Sequence, residues 1–257
     1  MGRDYQSGPL THAGAYSVDK RYRIVACIEP DDDKRNTFCK YWNIDHSFSS
    51  LSEIPPITAF DVISICSPTG LHSDDVLNCL KFKPKVIFCE KPVSTSVSLT
   101  QFMVEQCALS NVKLVVNHSR RWDPTIIKLK QDIESNCYGK LRAVSGLYNK
   151  GVLNNGSHMI DLLNYLLGDL YLDYVGNPIY DYLEEDPSVP VVLSSTKNVS
   201  ISLNCGNAND YSLFELYLYF SNACLSMELG GMKWRLRKTA SKCTPFNSER
   251  TASGGTL

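Results

Sequence analysis

Short apolar runs recur along the first part of the chain, and each ends in polar or turn-forming residues. Tyr22-Arg23-Ile24-Val25-Ala26-Cys27-Ile28 runs into Glu29-Pro30, and Phe60-Asp61-Val62-Ile63-Ser64-Ile65-Cys66 into Ser67-Pro68-Thr69-Gly70. Lys85 to Cys89 runs into Glu90-Lys91-Pro92, and Val112 to Val116 into Asn117-His118. Runs of this length, bounded by turn signals, read as buried strands. Helical stretches separate them. Residues 33–43 are polar and open on Asp31-Asp32-Asp33, acids that suit a helix N-terminus. Residues 73–82 carry Val76, Leu77, Leu80 and Phe82 on one face. Ser94 or Ser96 caps a helix over 97–110, and His12 to Tyr16 reads as the tail of another. Strand alternating with helix predicts βαβ units and a parallel sheet.

The pattern changes after residue 122. Asp123-Pro124 opens a helix through about 136, Gly139 ends it, and Leu141 to Tyr148 alternates as a strand. Residues 158–167 form a strongly apolar helix closed by Gly168. Val199, Ile201 and Leu203 then alternate, as do Phe214, Leu216, Leu218 and Phe220, and Ala223, Leu225 and Met227. This predicts consecutive antiparallel strands with one buried face. Lys238 to Leu257 lacks periodicity and reads as a loose tail. The fold class expected is α/β: a Rossmann-like parallel sheet over 1–120, then an α/β domain over 121–257 with a large, mainly antiparallel open sheet.

Composition narrows the function. A length of 257 residues suits two domains, and 43% hydrophobic residues suffice for a sizeable core. A net charge of -1 gives no reason to expect nucleic acid or an anionic membrane as partner. No apolar run approaches the ~20 residues of a membrane span, and the N-terminus shows no signal-peptide pattern. The ten cysteines are scattered, with no metal-binding spacing, and read as reduced thiols of a cytoplasmic protein with no metal site.

Two stretches carry candidate chemistry. Glu90-Lys91-Pro92 closes a buried strand, and ligands of open α/β sheets sit at strand carboxyl ends; the bland alternative is a surface turn with an ion pair. His158 begins the apolar helix just after Asn154-Asn155-Gly156-Ser157. If that helix extends back a turn, Asn154 and His158 share a face, with Asp161 one turn on. A histidine takes a hydroxyl proton near neutral pH, and a lysine steadies developing negative charge on oxygen; the alternative for His158 is a helix cap or a core polar contact. Glu29 sits where a Rossmann fold binds the adenosine ribose, or is a plain strand-end residue. Asn117 to Trp122 reads as a basic rim for an anionic ligand or as a domain hinge.

In order along the chain, Glu29-Pro30-Asp31, Ser67-Pro68-Thr69-Gly70-Leu71-His72, Glu90-Lys91-Pro92, Asn117-His118-Ser119-Arg120-Arg121 and Gly156-Ser157-His158-Met159-Ile160-Asp161 resemble the glucose–fructose oxidoreductase/inositol dehydrogenase (Gfo/Idh/MocA) family of NAD(P)-dependent oxidoreductases. The resemblance implies hydride transfer between NAD(P) and a secondary hydroxyl of a sugar, cyclitol or sugar nucleotide. It implies a catalytic set of Lys91, His158 and Asn154, and substrate contacts from Lys91, Arg121, Asn154, Ser157 and His158. It implies cofactor contacts from Gly2, His12, Glu29, Ser67, Pro68, Thr69, His72, Glu90, Lys91 and Asn117, with NAD favoured over NADP by Glu29. It further implies homo-oligomers built through the C-terminal sheet, and a Lys91–Pro92 peptide that is often cis. Asn154 stands where many relatives carry aspartate. No apolar strand running into G-x-G-x-x-G precedes Gly2, so the sequence reads as if it starts inside that motif and stops short at its other end. The alternative is therefore a catalytically inactive relative that binds a ligand or a partner.

Overall fold

The computed structural model describes residues 11–55 and 58–239. Gly2 and the expected loose tail after Thr239 lie outside the described residues. The chain divides into two compact units between Asn117 and His118.

In the first unit, α1 (His12–Val18) is capped by Thr11, whose hydroxyl accepts from the Gly14 amide at 3.0 Å. β1 (Ala26–Ile28) leads into α2 (Asp32–Trp42), capped by the Asp31 side chain and ended by Asn43 in the left-handed region. β2 (His46–Phe48) pairs parallel with β1. β1 is shorter than its apolar run because the ladder with β2 extends only over Ala26–Ile28. A parallel three-stranded sheet follows, built from β3 (Val62–Ile65), α3 (His72–Cys79), β4 (Val86–Cys89), α4 (Val97–Leu109) and β5 (Lys113–Val116), with strand order β3-β4-β5. Ser96, not Ser94, caps α4. Ile65, Val76, Ile87, Cys89, Met103 and Val112 form its core, which seats β4 in the middle of the sheet.

The second unit begins with α5 (Pro124–Glu134), whose proline occupies the first turn and whose Asp123 cap accepts from Thr125 N at 2.7 Å. β6 (Leu141–Tyr148) follows, then a π-helical turn at Gly151–Gly156 that passes into α6 (Ser157–Leu167). The remainder is β7 (Leu170–Val175), β8 (Ile179–Leu183), β9 (Asp186–Ser188), β10 (Val191–Ser195), β11 (Ser200–Cys205), β12 (Phe214–Phe220), β13 (Ala223–Glu228) and β14 (Lys233–Lys238). Seven of these strands form one sheet in the order β14-β13-β12-β6-β11-β10-β7, while β8 and β9 make a separate hairpin. Met159, Leu162, Leu163, Leu166 and Leu167 of α6 cluster with Val144, Ile201, Leu203, Leu216 and Leu218 from the sheet.

One expectation is corrected here. The strands at 199–205 and 214–220 are not antiparallel neighbours: β6 lies between them, parallel to β11 and antiparallel to β12. Gly146 permits the close approach, since a Cβ there would sit 2.7 Å from Leu203 Cδ2. The antiparallel run of consecutive strands is confined to β12-β13-β14 and to β10-β11. Among the described residues no helix is long and apolar enough to cross a membrane.

Candidate active site

In the first unit the chemistry gathers at the carboxyl end of β4. The ladder runs one residue past the strand, with Glu90 N bonded to Ile65 O and Asn117 N to Cys89 O. This holds Glu90 and Asn117 side by side, and Asn117 Nδ2 donates to Glu90 Oε1 at 2.8 Å. The first residue of α1 completes the group, for His12 Nε2 lies 2.7 Å from the same oxygen. The imidazole ring also packs on Phe88, with centroids 4.8 Å apart. Burial pushes the Glu90 carboxyl up, but the hydrogen bonds from Asn117 and His12 outweigh it and hold the group below the ordinary glutamate value. Lys91 N donates to the other carboxyl oxygen at 3.3 Å, and the Lys91–Pro92 peptide is cis, as the resemblance implied.

His72 braces two turns. One ring nitrogen lies 2.7 Å from Ser67 O and the other 2.9 Å from Pro92 O. The residue is 1% exposed and ties the 67–72 turn to the Lys91–Pro92 turn. Ser67 is anchored in turn by its hydroxyl, which donates to Asp75 Oδ2 at 2.5 Å, while Pro68 and Gly70 are exposed beside the half-buried Thr69. Glu29 follows β1, and its Oε1 accepts from Asp31 N at 3.0 Å. Arg35 donates to Glu29 O at 2.6 Å and pairs with Asp32. His12 Nδ1 is buried with no hydrogen-bond partner among the described residues. An unmet polar atom beside a carboxylate, at the carboxyl end of a parallel sheet, fits a polar nucleotide cofactor. His12, Glu29, the 67–69 turn, Glu90 and Asn117 are the residues that would hold it.

In the second unit His118, Arg121, Asp161 and His158 come together. Arg121 grips Asp161 through Nε and Nη2, the latter at 2.7 Å, and this hydrogen bonding pushes the arginine pKa up. His118 Nδ1 lies 3.6 Å from the same carboxylate, and its ring meets that of His158 edge-on, with centroids 6.1 Å apart. Arg120 stacks on Phe214 at 4.1 Å and donates to Gly230 O. Both arginines are therefore engaged within their own unit, Arg121 with Asp161 and Arg120 with Phe214 and Gly230. The Ser157 hydroxyl turns inward, donating to Leu153 O at 2.7 Å and Asn154 O at 3.0 Å. Asn154 and His158 are half-buried on the π-turn and the first turn of α6.

A further group, Asp181, Asp186 and Ser188 of the β8–β9 hairpin, is not visible in the sequence. These receive the amides of the π-turn. No local signal marks them, because their partners lie about thirty residues earlier in the chain.

Residues 8–118 match the family model described as an oxidoreductase family with an NAD-binding Rossmann fold. A myo-inositol 2-dehydrogenase of Thermotoga maritima is 25% identical over 57% of this chain and 48% of its own length. An inositol 2-dehydrogenase of Rhizobium meliloti is 22% identical over 80% of this chain and 60% of its own. The chain thus spans about half the length of the first and three fifths of the second. The crystal structure of the WlbA dehydrogenase from Bordetella pertussis, in complex with NADH and UDP-GlcNAcA, shares the fold with a TM-score of 0.77. It is 18% identical, over 90% of this chain and 74% of that one. Residues 8–118, within the Rossmann-like first unit, thus match the Gfo/Idh/MocA oxidoreductase family, and the large mostly antiparallel sheet of the second unit accords with the fold of the solved dehydrogenase.

Proposed function

We propose that this protein is an NAD-dependent dehydrogenase acting on a secondary hydroxyl of a sugar, cyclitol or sugar nucleotide. The observation that carries the reading is the group at the end of β4, where His12 and Asn117 both bind Glu90 immediately before Lys91. A bound nicotinamide would supply the hydride acceptor. Lys91 holds the substrate oxygen, His158 takes its proton, and Asn154 orients the hydroxyl. Asn154 is an amide and cannot share a proton as a carboxylate does, so proton transfer falls to His158 alone.

NAD is favoured over NADP on charge. Glu29 repels a 2′-phosphate and accepts from a 2′-hydroxyl, while the nearby Arg35 is already paired with Asp32. The exposed Tyr171, Leu172, Tyr174 and Val175 on the edge strand β7 support self-association through the large sheet. The nine described cysteines are all free, which suits a reducing, cytoplasmic compartment.

The test is a titration of the purified chain with NADH and, in parallel, NADPH, followed by nicotinamide fluorescence, then a screen of sugars, cyclitols and sugar nucleotides with NAD. Saturable binding, tighter for NADH, with turnover of a polyol is the expected result. A folded sample that binds neither nucleotide overturns the dehydrogenase reading for this chain.

A further inference from the structure

The amides that open a helix have no acceptor within it. In the π-turn before His158 they are taken by side chains of the β8–β9 hairpin. Lys150 N donates to Asp181 Oδ2 at 2.9 Å and Gly151 N to Ser188 Oγ at 2.9 Å. Leu153 N and Asn154 N donate to the two oxygens of Asp186, at 2.8 and 2.9 Å. Ser188 in turn donates to Asp181 Oδ1 at 3.1 Å. Asp181, Asp186 and Ser188 are all buried. Burying two carboxyl groups is costly unless their oxygens are fully engaged. The hairpin stands outside the seven-stranded sheet and lends nothing to the apolar cluster beneath it.

A second observation points the same way. Gly151 has φ +87, and a Cβ there would lie 2.1 Å from Asp186 Oδ2 and 2.6 Å from Asp186 O. The hairpin backbone and the π-turn therefore meet in direct contact. From Gly156 the backbone continues in helical geometry into Ser157, so the turn and α6 are one rigid piece. Fixing the amides of Leu153 and Asn154 fixes His158 a turn later.

We propose that Asp186, backed by Asp181 and Ser188, is the positioning residue for Asn154 and His158, capping their helix from a separate hairpin. This rests on the reading of those two residues as the substrate- and proton-handling groups. Two amides need two acceptors. A carboxylate supplies both, whereas an asparagine supplies one and turns its NH2 on the other amide.

The test is Asp186→Asn in the full chain, followed by amide hydrogen exchange and by the ring resonances of the five histidines. Expected are exchange at Leu153 and Asn154 at least tenfold faster, a displaced His158 ring signal, an unmoved His46 signal, and unchanged protection in β12 and β13. Should that variant fail to fold, Ser188→Ala removes only the acceptor for Gly151 N, and exchange there should rise with the same displacement of His158. A folded variant with unchanged exchange at these amides and an unmoved His158 ring overturns the proposal. Neither readout needs turnover. A parent inactive on every polyol with the exchange behaving as expected would overturn the dehydrogenase reading and leave the clamp standing. Where turnover is found, a fall in kcat with unchanged NADH affinity supports positioning, and an equal loss of NADH binding overturns it.

Discussion

Arg121 holds Asp161 through two nitrogens, with Nε 3.0 and 2.9 Å from the two carboxyl oxygens and Nη2 2.7 Å from Oδ1. The carboxylate side chain is only 12% exposed, and the helix that bears it also bears His158. A lysine has no fork to match a carboxylate. Arg121→Lys is expected to cost about 1.5–3 kcal/mol, the range of a hydrogen bond to a charged group. A urea midpoint unchanged from the parent would mean that the pair does not hold this helix.

Glu90 gives a pH dependence with a definite sign. Its folded value lies below the ordinary glutamate value of 4.5. The stability it contributes is therefore fully present above pH 4.5 and is lost as pH falls through the lowered folded value. Glu90→Gln should flatten that part of the acid limb, and denaturation midpoints taken stepwise from pH 6 downward would read it. Parallel limbs in the two proteins would rule the effect out.

Gly151→Ala should be among the most damaging single-methyl changes in the second unit. The residue has φ +87, and the added carbon would lie 2.1 Å from Asp186 Oδ2. Backbone strain of this kind and overpacking each cost roughly 1–3 kcal/mol. Gly70→Ala, whose Cβ would meet nothing within 4 Å, is the control, and thermal melting should separate the two clearly.

If Lys91 and His158 have the proposed roles, Lys91→Ala and His158→Ala each lower turnover by roughly 100-fold or more, the usual scale for losing a charge-stabilising or a proton-handling group. NADH binding should survive in His158→Ala. Turnover near the parent level in both variants would remove these residues from the chemistry.

Much of this was legible in the chain. β4, β6 and β12 were bounded to within a residue because each is an apolar or alternating run with a sharp turn signal at its end. Their neighbours were less visible. The pattern of β7, Leu-Tyr-Leu-Asp-Tyr-Val, lies mostly exposed on an edge, so its hydrophobicity does not mark a buried face. The short β2 and β9 carry too few apolar residues to register as runs. Sheet order is not local information at all, which is why β6 between β11 and β12 went unread. The site divides along the same line. Glu90, Lys91, Asn117 and His158 stand in contiguous motifs, whereas the inward turn of Ser157 and the engagement of both arginines depend on which neighbours the fold supplies.

The central place of β6 also has a bearing on the order in which the molecule is made. β6 is the first strand of its sheet to be synthesised, yet its parallel partner β11 ends at Cys205 and its antiparallel partner β12 at Phe220. Until Phe220 has left the ribosome, an apolar strand with at least one unsatisfied edge is carried by the nascent chain. The second unit is thus built around a strand that must wait for both neighbours, while the βαβ pairs of the first unit can close as they emerge.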